Sequence, residues 1–236
     1  MHHEQTRNEI AHTGRRLEHD GLLSATAGNI SARVAPDAIA ITPTNIPYPE
    51  IAAADVVITD LHGNVIDGER RPSSETPFHT AVYRARPDVG GVVHTHSPFA
   101  TTLAVLRRAI PAIHYVIASF GVPEIPVVPY ETYGSHELAG QLEQVAASGT
   151  KGALLANHGA VAFDDTLDRA AVLAALLEFL AATYHRALTV GERVHRGLEA
   201  APAAVEDEDD GAVAHEWTAD PVPLGALAVR GWPWVL

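Results

Sequence analysis

The sequence predicts one α/β domain, a mixed sheet flanked by helices on both faces. Three observations carry this. The chain has 236 residues, 47% apolar and 19% charged, which is ample material for a core and too few charges for global disorder. Apolar runs of strand length are interspersed with longer stretches of helical periodicity. That alternation holds no sustained strand–helix–strand rhythm, which points away from a doubly wound parallel sheet. The domain is expected over residues 1–190, with 191–236 as a C-terminal tail.

Taken in order, Thr6–Asp20 reads as a helix with Ile10, Thr13 and Leu17 on one face and Gly21 as its stop. Ala38–Ile41 alternates into the proline-rich loop TPTNIPYPE, and DVVITDLHGNVIDG reads as two short strands about a His-Gly-Asn turn. In RRPSSETPFHTAVYRARPD, Ser73 or Ser74 is placed to cap a helix with Pro77 in its first turn. Val89–Thr95 reads as a buried strand, Pro98–Arg108 and Ser135–Ala147 as helices. GALLANHGAVAF reads as a strand, a tight turn at Asn157–Gly159 and a second strand. Thr166–Leu188 is a long helix, apolar on more than one face and so expected to lie between neighbours. The tail holds the acidic run APAAVEDEDDG, expected to be a solvated loop, then Trp217, Trp232 and Trp234. The last two tryptophans read as packing on the domain or on a neighbouring subunit.

Composition narrows the function classes. The formal charge of -13 argues against a nucleic-acid partner, which needs a basic surface. The absence of cysteine excludes disulfides, thiolate metal sites and cysteine nucleophiles. The N-terminal stretch carries charges throughout and has no apolar h-region, so no signal peptide is expected. The longest apolar run, Ala170–Ala182, is interrupted by Glu178 and is too short to span a bilayer. The reading is a cytoplasmic protein with no membrane partner.

Chemistry concentrates in a few segments. Most of the 14 histidines, among them His2, His3, His12, His19 and His195, read as surface residues. His94 and His96, in GGVVHTHSPF, differ: residues i and i+2 of a strand share a face, so two imidazoles can chelate one divalent ion. His158, in the strand–turn–strand LLANHGAVAF, offers a third nitrogen, and three histidines with an open position suit catalytic zinc. Glu75 follows two serines at a helix start, as either an ordinary capping segment or a phosphate site followed by an acid/base. TAGNIS is either a plain turn or a loop in which Gly28 admits a ligand to the backbone and Asn29 offers an amide.

Together GLLSATAGNISAR, ITPTNIPY, RRPSSETPFH, GGVVHTHSP, IPAIHY and NHGAVAF resemble, in order from about Thr6 to Leu188, the class II aldolase/adducin family and its three-layer fold. RAIPAIHYVIASFG is most similar to the ketose-1-phosphate aldolases, of which the L-fuculose 1-phosphate enzymes are examples. The resemblance implies a metal-dependent cleavage of a phosphorylated sugar to dihydroxyacetone phosphate and an aldehyde. It implies Zn²⁺, with Mn²⁺ or Co²⁺ as alternatives, on His94, His96, His158 and Glu75, with Glu75 also the acid/base. It implies phosphate binding by Gly28, Asn29, Thr44, Asn45, Ser73 and Ser74. Tyr115 would serve the aldehyde-side oxygen of a neighbouring subunit within a homotetramer whose sites lie between subunits.

The chemistry is coherent. Cleaving a C–C bond beside a carbonyl leaves an enediolate, which a metal stabilises as a Lewis acid. The only lysine, Lys151, lies outside the motifs, which argues against a Schiff base. Glu75 can return a proton if burial raises its pKa. Sugar-phosphate 4-epimerases and 3-oxo-acid phosphate decarboxylases of the family use the same metal site; Glu75, where the epimerases typically carry Asp, favours the aldolase. A non-catalytic adducin-like assembly domain has no need to keep all four ligands. One departure is Asn45, where the family's TPTG or TPSG loop has glycine; Asn tolerates left-handed backbone.

Overall fold

The computed structural model describes residues 2–191 and 194–195. Its elements are helix α1 (Glu4–His19), strands β1 (Asn29–Ala35), β2 (Ala38–Ile41), β3 (Val57–Asp60) and β4 (Val65–Asp67), helix α2 (Thr76–Ala85), strand β5 (Gly91–Thr95) and helix α3 (Pro98–Val105). Then follow β6 (Ile110–Pro111), a 3₁₀ turn (Tyr115–Phe120), β7 (Glu124–Ile125), β8 (Val127–Val128), α4 (His136–Ala147), β9 (Gly152–Leu155), β10 (Gly159–Asp164) and α5 (Leu167–Val190).

Eight strands form one sheet in the order β4-β3-β2-β1-β5-β10-β9-β8. All neighbours are antiparallel except β8 and β9, so the sheet is mixed, as expected. A separate pair joins β6 to β7.

The period-two rule then sorts the core into two layers. Ile30, Ala40, Val93, Leu154 and Ala162 face α1, α3 and α5. Ile39, Ile41, Val92, Leu155, Val161 and Phe163 face α2 and α4. The result is three layers, helix–sheet–helix. By the same alternation, Asn29, Ser31 and His94 emerge on the α2 side, opposite Ile30 and Val93.

The long helix α5 is capped at its start: the Thr166 hydroxyl accepts from the Arg169 N–H. It is long and apolar enough to cross a membrane by length and composition. Its Leu173, Leu177, Leu180 and Ala181 are buried in the core, and the Glu178 carboxylate accepts from the backbone N–H groups of Phe99 and Ala100, at 2.9 and 2.8 Å, at the start of α3. It is a core helix with a helix-capping carboxylate.

Several local expectations are corrected. Neither Ser73 nor Ser74 caps α2. The helix begins after Glu75, whose side chain makes no cap bond, because the Ser73 hydroxyl instead accepts from the Glu75 N–H at 3.2 Å in the preceding turn. Helix α3 ends at Val105 rather than Arg108; the backbone turns left-handed at Arg107 (φ 51°). The N-terminal helix starts two residues early, at Glu4. The tryptophan-bearing tail (Trp217, Trp232, Trp234) lies outside the described residues.

Candidate metal centre

The centre is assembled at the end of the central strand β5. β1 and β10 flank it in register, so that Asn29, His94 and Val161 lie in one cross-strand row. His94 is the penultimate residue of the strand, and His96 follows its end two positions on. His158 comes from the turn joining β9 to β10, which is possible because Asn157 adopts a left-handed conformation (φ 56°). Gly159 is required there: a Cβ would meet the Thr95 carbonyl oxygen at 2.3 Å and the His96 ring at 3.0 Å. Glu75 arrives from the other layer, at the N-terminus of α2, and is buried.

One ligand atom from each of Glu75, His94, His96 and His158 lies within 4.8 Å of the others. His94 Nε2 is 2.9 Å from His96 Nε2 and 3.2 Å from Glu75 Oε2, and His158 Nε2 is 3.2 Å from Glu75 Oε1. His94 Nδ1 is bonded to the Ala160 carbonyl oxygen at 2.9 Å, which fixes the ring and turns the lone pair of Nε2 into the cluster.

Protonation states follow from these surroundings. Burial, then the neighbouring His94, pushes His96 down to about 4, and the same two causes push His158 down to about 4. Both are neutral at pH 7, the state in which an imidazole nitrogen can ligate a metal. For Glu75, burial acts to raise the pKa, but the charge and hydrogen bond of His94, then His158 and Asn29, outweigh it and hold the carboxyl well below the ordinary range. The expectation of a carboxyl raised by burial is therefore corrected: the same pocket that dehydrates Glu75 sets the Asn29 amide and two imidazoles against it.

Inward-turned imidazole nitrogens beside a carboxylate whose Oε1 is buried without a hydrogen bond need positive charge between them. The donor set fits a divalent ion: three imidazoles and one carboxylate suit zinc or a similar first-row cation.

The remaining predicted residues fall into two groups. Thr42, Thr44, Ser73 and Arg71 are stitched together: Thr44 N donates to Arg71 O at 3.0 Å, Ser73 N donates to Thr42 O at 3.1 Å, and Pro43 bridges to Pro72. This ladder brings Thr44 and Asn45 beside Ser73 and Ser74. Asn45 has φ 60°, so asparagine does hold the left-handed position at the loop. Ser74 and Asn45 are exposed, Thr44 half-buried and Ser73 buried.

Gly28 (φ 82°) lets the chain pass close to β5, where a Cβ would meet the His94 carbonyl oxygen at 2.6 Å. Asn29 is buried, and its Nδ2 donates to Glu75 Oε2 at 2.8 Å. Tyr115 is set apart from this group: it begins the 3₁₀ turn, is 74% exposed, and its ring lies tilted against that of His114 with centroids 4.5 Å apart. His2, His3, His12, His19 and His195 are exposed, as expected.

Residues 8–185 match the family described as Class II Aldolase and Adducin N-terminal domain. The chain belongs to that family. A class II aldolase relative, the 5-deoxy-D-ribulose 1-phosphate aldolase of Bacillus thuringiensis serovar kurstaki, is 40% identical over 195 residues, covering 80% of this chain and 88% of the relative. The L-fuculose phosphate aldolase of Escherichia coli K12 is 41% identical over 174 residues, covering 74% and 80%. A solved L-fuculose 1-phosphate aldolase superposes with a TM-score of 0.76 at 38% identity, covering 80% of this chain and 88% of the other. The chain is a lyase of the class II aldolase type, and class II aldolases use a divalent metal.

Two residues that sequence reasoning missed also belong to the site. His79 is buried behind Asn29, with Nε2 2.6 Å from Asn29 Oδ1. Its only sequence signal is its place one helical turn after Glu75. Tyr48 is buried near the carboxylate; burial, then the charge of Glu75, pushes its phenol above the ordinary range.

Proposed function

We propose that the protein is a zinc-dependent ketose-1-phosphate aldolase that yields dihydroxyacetone phosphate and an aldehyde, with a substrate of the L-fuculose or 5-deoxyribulose 1-phosphate kind. The observation that carries this is the convergence of Glu75 with His94, His96 and His158, beside a loop pair able to face a phosphate. The named activities of relatives 40% and 41% identical support the substrate class.

His94, His96 and His158 would hold the ion, with Glu75 placed to serve as a fourth ligand. A divalent ion there supplies Lewis-acid polarisation of the substrate carbonyl and its neighbouring hydroxyl. Thr44, Asn45, Ser73 and Ser74, with Gly28 and Asn29 at the loop beside them, position the phosphate, so that binding energy remote from the reacting bond orients it. In cleavage the C–C bond beside the carbonyl breaks, its electron pair remains on the carbon next to the carbonyl, and the hydroxyl proton of the departing half is lost as an aldehyde forms. Glu75 exchanges a proton with that carbon. Asn29 holds Oε2, leaving Oε1 as the oxygen that carries the proton. Tyr115 of the partner subunit holds the proton of the aldehyde-side oxygen. Its 74% exposure supports a role outside its own subunit.

This assignment carries with it a homotetramer with sites between subunits, a catalytic domain over 1–190 with a tail beyond it, and a cytoplasmic location with no nucleic-acid or membrane partner. The test is release of dihydroxyacetone phosphate from fuculose, rhamnulose, ribulose and 5-deoxyribulose 1-phosphates, with and without chelator. Chelator-sensitive release is expected. No release from metal-loaded protein moves the assignment to the epimerase or decarboxylase branch.

A further inference from the structure

Behind the metal centre runs a buried chain of hydrogen bonds that ends on Glu75. Asn29 Nδ2 lies 2.8 Å from Glu75 Oε2, and Asn29 Oδ1 lies 2.6 Å from His79 Nε2. His79 Nδ1 lies 2.7 Å from Ser31 Oγ, and Ser31 Oγ lies 3.0 Å from the Tyr83 hydroxyl. The Tyr83 phenol also meets the backbone of Val92 on β5. Asn29, Ser31, His79 and Tyr83 are all nine-tenths or more buried.

The direction of every bond follows from one end. A carboxylate can only accept, so the Asn29 amide NH₂ must face Glu75 and its carbonyl oxygen must face His79. That oxygen can only accept, so His79 carries its proton on Nε2. In the neutral ring Nδ1 is then an acceptor, so the Ser31 hydroxyl donates to it, and the Tyr83 hydroxyl donates to Ser31. Neutrality is secured by burial, which pushes His79 down to about 3. The donors all run toward the carboxylate. Reversing any one of them leaves two donors or two acceptors face to face at hydrogen-bond distance in a region without exposed surface.

We propose that His79, backed by Ser31 and Tyr83, is a positioning residue for the reaction: held as the Nε2–H tautomer, it prevents the Asn29 amide from flipping, so that Asn29 presents an N–H to Glu75 Oε2 throughout the cycle. This rests on the aldolase reading of Glu75. Without His79 the Asn29 amide is free to turn its oxygen on the carboxylate, and Glu75 loses both its donor and its orientation. Loss of a partner that orients a metal ligand typically costs about 10- to 100-fold in activity or metal affinity.

The test combines variants with a spectroscopic readout. His79→Leu, folded and metal-loaded, is expected to lose about 10- to 100-fold in kcat with KM changed less than about threefold. His79→Gln, whose side-chain NH₂ can reach the place of Nε2–H, is expected to recover most of that loss. In wild-type protein labelled with ¹⁵N-histidine, the His79 signals, assigned by their disappearance in His79→Gln, are expected to show the Nε2–H tautomer. Ser31→Ala, which removes the donor to Nδ1, is expected to lower kcat in the same way and by a smaller factor. The proposal is overturned if His79 carries its proton on Nδ1, if His79→Leu keeps wild-type kcat, or if His79→Gln is no better than His79→Leu. The tautomer measurement decides the matter even where His79→Leu does not fold. It also separates the two readings: wild-type protein without aldolase activity but with His79 as Nε2–H refutes the function and not the network.

Discussion

Replacing Glu75 by Gln tests the centre of the argument, because the change is nearly isosteric and its consequences can be worked out atom by atom. Oε2 accepts from Asn29 and faces His94; Oε1 faces His158. Glutamine retains one acceptor. Its carbonyl oxygen takes the Oε2 position, where Asn29 demands an acceptor, and its NH₂ takes the Oε1 position, where it can donate to the unprotonated His158 Nε2. The fold therefore tolerates the change, and a buried charge is removed, so the metal-free variant is expected to unfold within about 1 kcal/mol of wild type. The three imidazoles remain to hold the ion. What disappears is the group that gains and loses a proton at Oε1, a contribution of about 10²- to 10⁴-fold, or about 3 to 5 kcal/mol of barrier. The residues proposed to position the phosphate are untouched, so KM is expected to stay within a few-fold. The assay is dihydroxyacetone phosphate release by metal-replete enzyme, with metal content measured on the same sample. A kcat within tenfold of wild type in a zinc-loaded Glu75→Gln refutes the assignment of Glu75 as the proton carrier.

Three further outcomes are expected. His96→Ala leaves two histidines and a carboxylate, and dialysed protein is expected to retain no stoichiometric zinc by elemental analysis; full retention contradicts the ligand set. Gly159→Ala places a methyl group 2.3 Å from the Thr95 carbonyl oxygen and against the rings of His96 and His94, so it is expected to cost about 2 kcal/mol or more in a denaturant titration and to weaken zinc binding, whereas a neutral result denies the close approach. For the metal-free protein the pH dependence follows from three histidines held below the ordinary 6.5, His79 at about 3 and His96 and His158 at about 4. Their folded pKa lies below the unfolded one, so the unfolded state binds more protons from pH 6.5 downward and stability falls as pH drops through that window, with His79 alone accounting for about 2 kcal/mol by pH 5. Chemical denaturation at pH 7.5, 6 and 5 reads the slope; His79→Gln is expected to flatten it, and a flat wild-type profile contradicts the buried, neutral state of these rings.

How much of this was legible in the sequence depends on how local the cause is. The strands and the long helix were readable because period-two and multi-faced apolar patterns are written in adjacent residues. The pairing of His94 with His96 was readable because a strand dictates that i and i+2 share a face. The Asn157 turn was readable as a turn, but its left-handed residue was not foreseen. A capping role for Ser73 or Ser74 is not realised because two hydroxyls in a row can serve either a cap or the turn before it, and only the ladder between Thr42 and Ser73 decides. His79 was invisible for a different reason. Its partners Asn29 and Ser31 are 50 and 48 positions away, and nothing in TPFHTAV distinguishes a network histidine from a packed one.

The metal centre and its supporting chain are best understood as one consequence of layer packing. Strand alternation sends Asn29, Ser31 and His94 to the face that α2 covers, and α2 brings Glu75, His79 and Tyr83 to meet them at successive helical turns, i, i+4 and i+8. That face should be apolar, and a few residues away it is, with Ile39, Val92 and Phe163. Its polar end survives burial because Asn29, Ser31, His79, Tyr83 and the Oε2 of Glu75 are matched to one another, while the Oε1 of Glu75 is not. A network satisfied everywhere but at a single carboxylate oxygen, with unprotonated imidazoles turned toward it, leaves its deficit at one point. A divalent cation at that point completes the set, so metal binding should stabilise the fold as well as enable the chemistry.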